Sequence, residues 1–215
     1  MNIFRFLGDL SHLTSILILI HKIQTSRSCR GISYKTQLLY VIVFVSRYLD
    51  LVWTYVSLYN SLMKLFFISS SSYILYLIKI RFRPTLDPSI DTFSLPYLII
   101  PAAILSLIFN YADEKAWLSE VLWSFSIYLE SVAILPQLFL LQRTGEAETI
   151  TTHYLFALGA YRALYIPNWI YRYATESFVD PIAIISGLIQ TALYADFFYI
   201  YFTKVIRGQK FELPA

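Results

Sequence analysis

The stretch WLSEVLWSFSIYLESVAILPQLFLL, residues 117–141, decides the fold class. It carries two charges, Glu120 and Glu130, in 25 residues. About 20 residues suffice for a helix to cross the hydrocarbon layer of a membrane. The apolar residues run on continuously, whereas a barrel strand would alternate. Glu120, Trp123, Ile127 and Glu130 fall at i, i+3, i+7 and i+10, one face of a helix. The stretch reads as a membrane helix with a polar-aromatic stripe. Such a stripe cannot face lipid, so it lines a cavity or meets another helix.

Working outward, similar apolar runs predict helices at about 3–22, 35–55, 60–79, 96–111, 151–171 and 179–203. Composition agrees: 57% of the 215 residues are hydrophobic and 14% charged. A soluble domain is nearer a quarter charged and could not hide so much apolar surface. The expected architecture is therefore all-α, a seven-helix transmembrane bundle embedded in the lipid bilayer. Arg5, Asp9 and His12 interrupt the first run, which reads as a retained helix rather than a cleaved signal. Pro136 should kink the fifth helix, and Pro167 raises the same expectation for the sixth. The single cysteine, Cys29, permits no internal disulfide.

Basic residues choose the orientation. Lys22, Arg27, Arg30 and Lys35, then Lys79, Arg81 and Arg83, then Arg143, then Lys204, Arg207 and Lys210 make 11 of the 17 Lys and Arg. Seven crossings put all of these on one side. The positive-inside rule places that side, with the C-terminus, in the cytosol and the N-terminus in the lumen or outside. A faint repeat accompanies this: Ser33 and Arg47 match Glu148 and Arg162 at an offset of 115. It predicts two parallel three-helix units, about 1–83 and 117–203, joined by a linker helix at about 96–111 and followed by a tail, 204–215. That is the plan of the small SWEET and PQ-loop transporters.

Ionisable groups at membrane depth are costly and are functional candidates. Arg162, Tyr165, Trp169 and Arg172 repeat the spacing of the fifth-helix stripe, with Asn168 beside them. Some of these charges are expected only to pair and fix the bundle, Glu130 with Arg162 or Tyr161 first among them. The concentration of arginines in the lumenal half, however, predicts an anion site. Arg5, Arg47 and Arg172 carry forks suited to carboxylates, and Asp50 and Glu120 suit a cation. A peptide with several carboxylates and one basic end fits, and acidic amino acids or nucleotides fit by charge alone.

Several stretches resemble one family. They are residues 1–12, MNIFRFLGDLSH; Ser26–Cys29 with Gly31–Ser33; Arg47–Leu51; Trp123–Gln137; and Thr144–Gly159. They are similar to the ER lumen protein-retaining receptors, and the resemblance covers nearly the whole chain. It implies a SWEET-related seven-helix receptor of endoplasmic-reticulum and cis-Golgi membranes and coated vesicles. Such a receptor binds the C-terminal Lys/His-Asp-Glu-Leu tetrapeptide of escaped lumenal proteins at acidic pH and releases it at neutral pH. By position, Arg5, Arg47 and Arg172 would hold the cargo carboxylates. Asp50 and Glu120 would receive its basic residue, with Trp123 packed against it. Tyr48, Tyr165, Asn168 and Trp169 would shape the pocket, and Thr54 joins them where animal members usually have Asn. Glu130, Tyr161 and Arg162 would form an internal network that tightens on binding, Arg162 also bordering the pocket.

Asp196 would serve return of the loaded receptor. The tail, Lys204 with Arg207-Gly208-Gln209-Lys210, would recruit COPI coatomer, with Gln209 standing where Lys is common. The pH sensor is expected at His12, because histidine titrates between the two compartments. The rival reading is a small-solute transporter, favoured by Pro136-Gln137 and the repeat. Metal-ligand spacing, a nucleophile elbow and a phosphate loop are all missing from the sequence. No enzyme, cofactor, metal or nucleic-acid partner is expected.

Overall fold

A computed structural model of the chain describes residues 2–52, 55–111, 116–147 and 149–212. Helical segments lie over each of the seven expected runs. They are α1 (Ile3–Ser26), α2 (Tyr34–Tyr48), α3 (Leu58–Tyr76), α4 (Pro96–Ile108), α5 (Trp117–Val132), α6 (Leu135–Thr144), α7 (Thr149–Glu176), α8 (Pro181–Leu193) and α9 (Ala195–Thr203). Among the described residues the sheet is one two-residue antiparallel ladder, β1 (Glu146–Ala147) with β2 (Phe211–Glu212).

Three segments are long and apolar enough to cross a bilayer: Ile3–Ser26, Leu58–Arg81 and Trp117–Thr144. The pair Pro181–Leu193 and Ala195–Arg207, bent by 43°, makes a fourth if it counts as one span. α2 and α4 are shorter, at 15 and 13 residues. α7 is long, but Arg162 and Arg172 break its apolar run. The two prolines behave differently. The fifth run breaks at Ala133–Ile134, and Pro136 sits in the first turn of α6, where its missing N–H costs nothing. α7 continues unbroken through Pro167.

Helix ends are fixed by side chains the sequence supplies. Asn2 caps α1, accepting from the Arg5 amide at 2.9 Å, and its amide donates to Asn168 on α7 at 2.8 Å. Ser33 caps α2, accepting from the Thr36 amide, and donates to the buried Asp91 at 2.9 Å. Asp180 caps α8 through the Ala183 amide at 3.0 Å.

The bundle centres on α7, which packs along α1 and against α8, while α5 packs against α2, α4 and α8. Leu19, Ile23, Leu39, Val43, Leu129, Leu155 and Tyr194 are fully or almost fully buried between them. The end carrying the 27–37 turn is closed by Gln137. Its amide oxygen accepts from the Ser33 N–H at 2.8 Å, its amide nitrogen donates to the Gly31 carbonyl at 2.9 Å, and its own N–H donates to Thr36. The Pro-Gln pair thus has a structural task at that end.

Candidate functional site

At the other end α1, α5 and α8 begin and α7 finishes. A cavity of about 310 Å³ opens there, within the range of small-ligand sites. The two predicted stripes meet in it: Trp123, Ile127 and Glu130 from α5 face Arg162, Tyr165, Trp169 and Arg172 from α7, with Asn168. α1 contributes Arg5, Asp9 and His12, α2 contributes Arg47 and Tyr48, and Tyr161 and Asp180 complete the charged and phenolic lining. Four arginines, two aspartates and one glutamate, 4 − 3, leave the wall at formal +1 with His12 neutral.

The four arginines divide into two kinds. Arg47 and Arg162 lie at the floor and share one carboxylate. Glu130, 1% exposed, pairs with Arg47 and with Arg162 at 3.0 Å, and it accepts a short hydrogen bond from the Tyr161 hydroxyl. A buried carboxylate needs such partners, since losing one leaves an uncompensated charge. Arg47 also donates to Ser126 at 3.0 Å, and Arg162 donates to Gln190 at 2.6 Å. Arg5 and Arg172 lie nearer the rim. The Arg172 guanidinium pairs with Glu176 at 2.8 Å and covers the Phe178 ring at 3.9 Å.

His12 is 7% exposed. Its ring stacks on Tyr161 at 4.1 Å and packs against Phe67 at 4.8 Å. It therefore lines the cavity beside the Glu130 cluster, in contact with Tyr161. Asp9 accepts from Tyr165 at 2.6 Å, fixing that ring across the cavity.

Neither predicted cation acceptor lines the arginine cavity. Asp50, in the 3₁₀ turn Leu49–Val52 after α2, accepts from Lys64 of α3 at 2.7 Å. Glu120 borders an adjoining cavity of about 430 Å³ that shares Trp123 and Asp180 with the first and adds Tyr111 and Phe178. Thr54 lies outside the described residues, as does Glu148 of the suspected repeat.

Asp196 is exposed in the first turn of α9. Lys204 ends α9. Arg207, Gly208, Gln209 and Lys210 are exposed, yet the chain then turns back. Gly208 adopts φ +75°, and Phe211, 2% exposed, stacks on Phe197 at 5.2 Å.

Comparison with known proteins decides the family. The sequence profile described as "ER lumen protein retaining receptor" matches residues 28–172. The chain is 59% identical to the ER lumen protein-retaining receptor of Drosophila melanogaster over 215 residues, all of both chains. It is 58% identical to ER lumen protein-retaining receptor 2 of Gallus gallus and 56% to that of Bos taurus, again over both full lengths.

The chain belongs to the ER lumen protein-retaining receptor family.

It is accordingly a receptor rather than an enzyme, with transmembrane character carried by its apolar helices. Reading the sequence of this receptor for ionisable groups missed four parts of the arrangement. Gln190 and Ser126 are neutral, so a search for charges passed over them. Asn2 reads from sequence as a simple cap. Lys64 lies 14 residues from Asp50 across a turn, beyond the reach of helical spacing.

Proposed function

We propose that this receptor holds the C-terminal Lys/His-Asp-Glu-Leu tetrapeptide of soluble lumenal proteins in the arginine-lined cavity. One observation carries the reading. Arg5, Arg47, Arg162 and Arg172, scattered over 168 positions of sequence, line a single cavity at one end of the bundle. The ligand brings two acidic side chains and a terminal carboxylate, each matched to a guanidinium fork. Its basic first residue points toward Trp123 and Glu120 in the adjoining cavity.

Seven crossings, in two three-helix units about a linker, place this cavity on the lumenal side and the basic loops in the cytosol. Arg47 and Arg162, the pair that suggests the repeat, converge on Glu130, as equivalent positions of two facing units would. Binding at acidic pH in the Golgi and release at neutral pH in the ER follow from His12. The groups around it are Tyr161 and Arg162 on α7, Glu130 on α5 and Arg47 on α2. Protonation adds positive charge to a wall that already favours anions. Occupancy then moves the last helix and offers Lys204, Arg207 and Lys210 to COPI coat.

A solute transporter would need a largely uncharged path, and Gln137 is already engaged in holding the 31–36 turn. The test is binding of a labelled peptide ending in Lys-Asp-Glu-Leu to membranes bearing the receptor, at acid and at neutral pH. Saturable binding at acid pH, lost when the C-terminus is amidated, is expected. Equal binding of the amidated peptide rejects the reading.

A further inference from the structure

The proposed cycle requires a link from the lumenal cavity to the helices that end in the tail. Among the described residues, every hydrogen bond joining α8 to the Glu130 cluster comes from one side chain, Gln190. It is fully buried. Its amide oxygen accepts from Arg162 Nε at 2.6 Å, and its amide nitrogen donates to the Tyr161 hydroxyl at 3.3 Å. Those two groups are themselves bound to Glu130, Arg162 by ion pair and Tyr161 by hydrogen bond. Arg47 of α2 approaches the same carboxylate, and His12 of α1 stacks on Tyr161. Gln190 therefore faces a cluster in which α1, α2, α5 and α7 meet.

An amide suits this position. It is donor and acceptor at once, in fixed geometry, and it carries no charge to titrate. It can respond only to where Arg162 and Tyr161 stand. One turn earlier, Gly187 lies under Trp169 of the cavity wall, so closely that a Cβ there would sit 2.1 Å from the indole. Four residues beyond Gln190, at Tyr194, α8 gives way to α9 with a 43° bend.

We infer that Gln190 is the positioning residue that carries occupancy of the cavity into α8 and α9. The inference rests on the receptor reading above. A ligand carboxylate that draws Arg47 or Arg162 toward the cavity shifts the side chains bound to Glu130. Gln190 follows, because a buried amide left without partners is unfavourable. α8 moves with it, and the bend transmits that movement to α9.

The test uses the full-length receptor in lipid discs, with a peptide ending in Lys-Asp-Glu-Leu. Peptide affinity is measured from acid to neutral pH, together with amide hydrogen exchange over residues 194–211, with and without peptide. Gln190→Met keeps the length and removes both hydrogen bonds. It is expected to bind within about threefold of wild type at acid pH, while the peptide-induced change in exchange falls at least about fivefold. Gln190→Glu keeps the acceptor for Arg162 and is expected to retain about half of that change.

A Met variant whose exchange response equals wild type overturns the inference. So does a folded Met variant that loses binding at every pH, which would make Gln190 part of the pocket. If the Met variant does not fold, Gln190→Asn, too short to reach both partners, is read by the same two criteria. A wild-type receptor that takes no peptide overturns both readings, whereas equal responses in wild type and variant overturn this one alone.

Discussion

At the scale of single residues, three of the four cavity arginines, Arg47, Arg162 and Arg172, already pair with carboxylates of the chain, and the proposed ligand would compete for them. The outer pair is the easier to displace. Arg172 and Glu176 are 29% and 51% exposed, and exposed ion pairs hold weakly. Glu176→Gln should free the Arg172 fork and raise peptide affinity by at most about fivefold, the equivalent of about 1 kcal/mol. A titration of peptide binding at acid pH measures this, and a loss of affinity would argue against Arg172 as a carboxylate clamp. His12 is the second residue-scale case. It is 7% exposed and stacked on Tyr161, whose hydroxyl donates to Glu130. His12→Ala is expected to flatten the pH dependence of peptide binding between about pH 5 and 8. Unchanged pH dependence in that variant would move the sensor elsewhere. Most of these residues were legible because charge at membrane depth is costly and stands out. Asp50 was read as a cation acceptor, and the cation it holds here is the receptor's own Lys64.

Elements were legible where apolar length alone defines them. Each of the seven expected runs contains helix, since a continuous apolar run in lipid satisfies its backbone hydrogen bonds within a helix, whereas a barrel would need alternation. The breaks were less legible. Pro136 marks one, but the 43° bend at Tyr194 has no proline to mark it. The contact between α7 and α8 depends on a missing side chain. Gly187 lets Trp169 lie against α8, and Gly8 does the same for Tyr165 against α1. Gly187→Ala should push Trp169 toward the cavity, since its rigid ring offers no flexible end to yield. Peptide affinity is expected to drop on the order of tenfold, with little change in melting temperature if the ring finds the cavity space. Intrinsic Trp fluorescence reports the displacement, and an unshifted spectrum with normal affinity would refute it.

For the whole molecule the question is how, on the proposed reading, occupancy of the arginine-lined cavity reaches the end that carries the tail. The tail was expected as a basic segment after the last helix, and its exposed part, Arg207 to Lys210, fits that description. Its anchoring had no sequence signature, because a two-residue ladder shows no periodicity and Phe211 looks like any aromatic near a membrane. β2 pairs with β1 between α6 and α7, and Phe211 stacks on Phe197 of α9, so the chain just beyond the basic turn is tied down. Two variants separate presentation of the tail from its chemistry. Replacing Lys204, Arg207 and Lys210 together by Ser should leave peptide binding unchanged and stop retrieval of a tagged lumenal cargo. Continued retrieval would reduce these residues to ordinary cytosolic anchors. Phe211→Ala removes the buried anchor and keeps every basic residue. If the tie restrains the tail, this variant recruits coat without ligand and accumulates in the ER at steady state. If coat recruitment still requires ligand, the restraint lies in α8 and α9 themselves, with the ladder following their movement.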